Sequence, residues 1–139
     1  MSTSLPRMLG LDVGERRIGV AVSEGTLAVP LTIIEHTRRD EDVARIARLA
    51  RDHAAQRIVV GLPLQADGGE GEQARLTRRF ARDLQAAVSV PIEFQDELLS
   101  SVDAEAALAA AGGRRRGRLL DDRAAAVILQ RYIDAMERQ

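Results

Sequence analysis

Three segments far apart in the chain place an acid where an apolar run starts or stops. They are Asp12 in Met8-Leu-Gly-Leu-Asp-Val-Gly14, Asp96 and Glu97 closing Val90-Pro-Ile-Glu-Phe-Gln-Asp-Glu97, and Asp121-Asp122 before Ala124-Ala-Ala-Val-Ile-Leu-Gln130. A carboxylate at the end of a buried strand is costly unless something neutralises it, and two or three together repel one another. A divalent cation is the cheapest neutraliser, so the pattern points to metal-assisted phosphate chemistry. One Mg²⁺ or Mn²⁺ ion, or a pair about 3.5–4 Å apart, would activate water and stabilise the leaving oxygen of a phosphodiester. The chain has no cysteine, which leaves oxygen ligands or the two histidines, His36 and His53. Both histidines are expected at the surface, which disfavours zinc.

Each acid also has a plainer role. Asp12 before a glycine is a common turn former, and Asp121 and Asp122 suit the positive end of a helix. Side chains of neighbouring strand residues alternate, so only one of Asp96 and Glu97 can share a site with Asp12, and spacing alone leaves open which. On the last helix Ala125, Ile128, Leu129, Tyr132, Ile133 and Met136 form the apolar stripe. Asp121 lies about 40° to one side of Ala125 and Asp122 about 60° to the other. Asp121 is therefore favoured for the site, with Asp122 as runner-up.

All 20 basic residues are arginine, and Arg114, Arg115, Arg116 and Arg118 cluster in Gly112-Gly-Arg-Arg-Arg-Gly-Arg118 without an intervening acid. Arginine is the side chain best suited to forked phosphate contact, although genomic base composition also yields all-arginine chains. The cluster reads as a basic loop that contacts nucleic acid. Without lysine there is no phosphate-binding P-loop. The loop Gly61-Leu-Pro-Leu-Gln-Ala-Asp-Gly-Gly-Glu-Gly71 offers backbone N–H groups to a phosphate instead, or is a plain connection.

The elements that must position these residues follow from periodicity. Residues 7–13 and 17–23 read as a hairpin around Gly14-Glu-Arg16, and 27–34 as a third strand. Residues 41–54 are helical in period, with Val43, Ile46, Ala47, Ala50 and Ala54 on one face. Residues 57–62 form a strand buried on both faces, and 72–87 a helix with Leu76, Phe80, Leu84 and Ala87 inward. Residues 90–94 make a fifth strand, Ser100 or Ser101 caps a helix to about Ala111, and a last helix runs from about Leu120 to Glu137. The fold class is α/β: a five-stranded mixed sheet, three strands of antiparallel meander plus two parallel strands, with helices on both faces. Right-handed crossovers set the fourth strand beside the first, so Asp12 ends a central strand, where ligands collect. At 139 residues, 1–139 is expected to be a single domain with 1–6 as a flexible tail. No apolar run spans a membrane and no leader pattern opens the chain, so a cytoplasmic protein is expected.

Four motifs in order resemble the YqgF or RuvX proteins, described as Holliday junction resolvases and as nucleases maturing the end of pre-16S ribosomal RNA. They are Gly10-Leu-Asp-Val-Gly14 with Arg17-Ile-Gly-Val-Ala21, Val59-Val-Gly-Leu-Pro-Leu64 with Asp67-Gly68 and Gly71, Asp96-Glu-Leu-Leu-Ser-Ser101, and Asp121 nine residues before Gln130. The resemblance implies a ribonuclease H-like fold and a metal-binding catalytic triad on Asp12, Glu97 and Asp121. It also implies that Arg17 and the Gly61–Gly71 loop border the substrate groove. One departure is plain: Leu98 stands where the family pattern Asp-Glu-Arg has arginine, so that role is absent or has moved, with Arg16 and Arg17 as candidates.

The expected function is a Mg²⁺- or Mn²⁺-dependent endonuclease acting on four-way junction DNA or precursor rRNA, as a monomer or homodimer. A noncatalytic nucleic-acid or ribosome-assembly factor on the same fold is the alternative. A nucleotide-binding phosphotransferase is a third reading, disfavoured because such enzymes clamp nucleotide between two domains. Only Phe80, Phe94 and Tyr132 are aromatic, all at core positions, so duplex or junction shape read through phosphates suits this chain better than base stacking.

Overall fold

The computed structural model describes residues 5–98 and 114–138, with side chains described for 5–98 and 123–138. Strands β1 (Met8–Val13), β2 (Arg17–Glu24) and β3 (Leu27–Glu35) precede helix α1 (Arg39–Asp52) and strand β4 (Arg57–Leu64). Helix α2 (Glu72–Gln85), strand β5 (Ile92–Leu98) and helix α3 (Arg114–Glu137) follow.

The sheet order is β3-β2-β1-β4-β5, which seats β1 at the centre as the crossover rule requires. β1 pairs antiparallel with β2 and parallel with β4, and β5 continues the parallel side. A bulge between Val20 and Ala21 lets edge strand β3 carry Pro30, which has no N–H to give a ladder.

Alternation along β1 divides the core in two. Leu9, Leu11 and Val13 pack with Val60, Phe80 and Leu84 on the side of α1 and α2. Met8 and Val59 pack with Ala125, Ile128, Leu129 and Ile133 of α3 on the other. Each fully buried side chain of this size contributes about 1.5–3 kcal/mol.

Several element ends differ from the periodicity. β5 continues to Leu98, so Glu97 lies inside a strand rather than after one, because Gln95–Leu98 keep pairing with Gly61–Leu64. Helix α1 stops at Asp52, and Ala54 takes a left-handed φ of 53° that turns Ala55 into the core in its place. Helix α2 stops at Gln85, which leaves Ala87 exposed. Helix α3 begins at Arg114, so Arg114, Arg115, Arg116 and Arg118 belong to a helix and not to the expected loop. The helix expected from Ser100 or Ser101 to Ala111 lies outside the described residues.

Candidate active site

Helix α3 crosses β1 and β4 at two glycines. A Cβ on Gly10 would stand 2.7 Å from Leu129 Cβ, and one on Gly61 would stand 2.4 Å from Ile128 Cδ1. Only glycine admits so close an approach. Asp12 follows Gly10 by two residues and so shares its face of the sheet, on the α3 side, where it is half-buried.

The same register places Glu97. Val60 pairs with both Leu11 and Phe94, and Pro63 pairs with Glu97. Glu97 therefore stands two strands from Asp12 and two residues farther along, roughly 12 Å between backbones at ordinary sheet spacings. Phe94 packs on the α2 side, so alternation sends Asp96 there too, exposed and within the field of Arg78. Glu97 points to the α3 face, where Arg131 meets it. Glu97, not Asp96, is the residue that shares the face of Asp12.

Arg131 Nη1 donates to Oε1 of Glu97. The other carboxylate oxygen, Oε2, is buried and has no hydrogen-bond partner among the described residues. Burial pushes the Glu97 carboxyl above the ordinary glutamate range, while the charge and hydrogen bond of Arg131 pull it down; neighbouring Asp96 adds a smaller upward push and the side chain of Gln95 a smaller downward one. A partly buried carboxylate with one buried, unpaired oxygen is costly, and sites of function are where such cost is tolerated. The guanidinium on Glu97 comes from Arg131 of α3, 34 residues away in sequence.

The turn after Asp12 is tightly held. Gly14 N donates to Arg17 O at 2.9 Å and His36 N to Arg16 O at 2.9 Å. Gln73 Nε2 donates to Val13 O at 3.0 Å, and the His36 ring lies 2.8 Å from both Gly14 O and Asp42. His36 is thus a buttress and not the loose surface residue its place between elements suggested. Arg16 projects exposed from this turn and Arg17 is half-buried.

The Gly61–Gly71 segment is partly strand and otherwise self-bonded. Gln65 N donates to Gly69 O, Gly68 N to Gln65 O and Gly69 N to Asp67 Oδ1, each at 2.8 Å. Those three amides are spent within the loop. Arg78 forks onto both oxygens of Glu70 at 2.7 Å, tying the loop to α2. Asp121 and Asp122 belong to α3, one turn before Ala125, but their side chains lie outside the described residues, as do those of Arg114, Arg115, Arg116 and Arg118. Among the described residues, no three histidine, aspartate or glutamate side chains gather as a metal set.

A family model described as RuvX, Holliday junction resolvase, matches residues 6–135. A protein of Anaeromyxobacter dehalogenans (strain 2CP-C) named "Putative pre-16S rRNA nuclease" is 48% identical over 132 residues, covering 92% of this chain and 96% of that one. A protein of the same name from Synechococcus sp. (strain JA-3-3Ab) is 48% identical over 130 residues, covering 91% and 82%. Among solved structures, RuvC of T. thermophilus in complex with a Holliday junction substrate superposes with a TM-score of 0.58 at 16% identity, covering 96% of each chain. The fowlpox virus resolvase with its junction DNA gives 0.52 at 7% identity, covering 94% and 98%. These likenesses identify the sheet and its helices as the ribonuclease H-like fold of the resolvases. By its family model and by its near-full-length relatives, the chain belongs to the RuvX family.

Proposed function

We propose that this protein is a divalent-metal-dependent endonuclease that hydrolyses phosphodiester bonds in structured nucleic acid, with Asp12, Glu97 and Asp121 as its carboxylates. Glu97 carries the reading: a carboxylate on the face of Asp12 whose Oε2 is buried without a partner among the described residues. A hard cation fits that orphaned oxygen, since the available donors are carboxylate oxygens and the chain has no thiol. Asp12 and Glu97 would hold Mg²⁺ or Mn²⁺, with Asp121 as third ligand and Asp122 its alternate. Such an ion supplies an activated water and charge stabilisation at the phosphodiester.

The chain's own part is binding and exclusion. Arg16, Arg17, Arg114, Arg115, Arg116 and Arg118 are proposed to take backbone phosphates. No ring is offered for base stacking: guanidinium groups of Arg39, Arg78 and Arg57 lie 5.5, 5.0 and 5.8 Å from the ring centroids of Phe80, Phe94 and Tyr132. That favours duplex shape over single strands. The names borne by relatives and structural neighbours make a four-way junction or precursor 16S rRNA the substrate to try first. Either role is cytoplasmic in a bacterium, and symmetric cutting of a junction calls for two copies of the chain.

One observation favours the noncatalytic alternative, a nucleic-acid-binding or assembly factor: Glu97 already has a cationic partner in Arg131. The deciding experiment incubates a synthetic four-way junction and an rRNA precursor with the protein in Mg²⁺ or Mn²⁺, beside Asp12→Asn. Metal-dependent cleavage that falls at least about a hundredfold in Asp12→Asn, with binding retained, is expected. Equal cleavage by the mutant overturns the reading. Salt-sensitive binding with no turnover in either protein establishes the alternative.

A further inference from the structure

The ion pair between Glu97 and Arg131 is lopsided. The Glu97 side chain is 17% exposed and that of Arg131 is 59% exposed. Arg131 donates from Nη1 to Oε1 alone and leaves Oε2 without a partner among the described residues, although a guanidinium carries five donors and could have bridged both oxygens. A pair exposed on one side adds little stability, and an apolar residue would fill the Glu97 position more cheaply. Stability is therefore a poor reason for the arrangement. A cation that meets a carboxylate through one N–H of a mostly exposed side chain is suited to exchange partners.

We propose that Arg131 is a stand-in cation: it holds Glu97 in the free protein and passes to a phosphate of the incoming nucleic acid, which releases the carboxylate to the metal. This deepens the proposed nuclease reading and rests on it. Each charge is balanced before and after the exchange. Before it, the Arg131 guanidinium faces the Glu97 carboxylate; after it, the guanidinium faces a phosphodiester anion and the carboxylate faces Mg²⁺ or Mn²⁺. The exchange is local because α3 is fixed over Gly10 and Gly61, so only the long Arg131 side chain need move. By linkage, nucleic acid and metal then favour each other's binding.

The test needs no turnover. Mn²⁺ is titrated calorimetrically into the free wild type, Arg131→Ala, Arg131→Lys and Asp12→Asn. Removing the competing guanidinium and its repulsion is expected to tighten Mn²⁺ binding by about tenfold in Arg131→Ala, whereas Arg131→Lys, which keeps the charge, stays nearer wild type. In chelator, binding of a four-way DNA junction by Arg131→Ala should weaken and lose about one unit of salt slope. Mn²⁺ affinity that is unchanged or weaker in Arg131→Ala, or an unchanged salt slope, overturns the exchange. Failure of the parent reading looks different: Asp12→Asn would then bind Mn²⁺ as the wild type does. Arg131 is mostly exposed, so its removal should leave the fold intact, and a thermal unfolding curve for each variant verifies this.

Discussion

The His36 ring donates from Nε2 to the carbonyl oxygen of Gly14, 2.8 Å away and two residues beyond Asp12. Its Nδ1 lies 2.8 Å from Oδ2 of Asp42, which is 2% exposed and also accepts from the Thr37 N–H and hydroxyl, both at 3.1 Å. With Gln73 on Val13 O, two consecutive carbonyls after Asp12 are gripped from the α1 and α2 side, the face opposite the candidate site. The carboxylate on β1 is thus backed by a partly buried polar network, centred on buried Asp42, that its own face does not reveal.

That network makes stability depend on pH. Burial alone would raise the Asp42 carboxyl, but the hydrogen bonds from His36 and Thr37 and the charge of His36 outweigh it, so its pKa lies below the ordinary 3.8. A depressed carboxyl contributes stability above its unfolded pKa, and that contribution is lost as pH falls through the folded value. Asp42→Asn should cost about 1.5–3 kcal/mol at neutral pH, as for hydrogen bonds to a charged group. The difference from wild type should shrink on acidification below about pH 4. Urea unfolding at stepped pH measures it, and a gap that stays constant down to pH 2 contradicts the assignment.

The residues that could be read in advance are those whose signal is local. The meander, the central place of β1 and the α3 stripe of Ala125, Ile128, Leu129 and Ile133 follow from periods of two and 3.6 together with crossover handedness. What escaped is set by partners distant in sequence. Gln95–Leu98 are polar enough to pass for a loop, and only the ladder to Gly61–Leu64 makes them strand. Arg131 looks like one more solvated helix arginine until the fold brings it to Glu97. His36 has no motif at all, and its role arises because β3 ends beside the Gly14 turn. Gly10 and Gly61 fall in strands by pattern, and nothing local names α3 as the element that each must admit.

The two glycines should respond differently to a methyl group. At Gly10 a Cβ meets Leu129 Cβ at 2.7 Å and the Ala125 carbonyl at 3.1 Å, atoms fixed to the helix, so α3 itself must move. At Gly61 the closest atom is Ile128 Cδ1, the far end of a side chain that can rotate. Gly10→Ala should therefore cost about 2–3 kcal/mol and Gly61→Ala about 1 kcal/mol, the range of core overpacking. Because α3 carries Arg131 and the Asp121 segment, Gly10→Ala should also depress cleavage beyond its effect on folding. Denaturant curves and cleavage rates at a temperature where both variants are folded decide it, and a larger penalty at Gly61 contradicts this packing.

Gln130 separates scaffold from site within one helix. Its side chain accepts from Ala28 N at 2.9 Å and donates to Thr26 O at 2.9 Å and Asp134 Oδ1 at 3.0 Å, tying α3 to the β2–β3 turn. That turn lies at the opposite end of the sheet from Asp12: Asp12 pairs with Gly19 near the start of β2, whereas the turn follows Glu24 at its end. Gln130 belongs to the same sequence motif as Asp121, so the motif mixes a residue proposed for chemistry with one that serves the fold. Gln130→Ala should lower unfolding free energy by about 1–2 kcal/mol through two unpaired backbone groups at the turn. Cleavage, measured well below the unfolding transition, should stay within about twofold of wild type, an activation difference under about 0.5 kcal/mol. A loss of cleavage comparable to that of Asp12→Asn in a folded Gln130→Ala protein would make this glutamine part of the site and not an anchor of the hairpin.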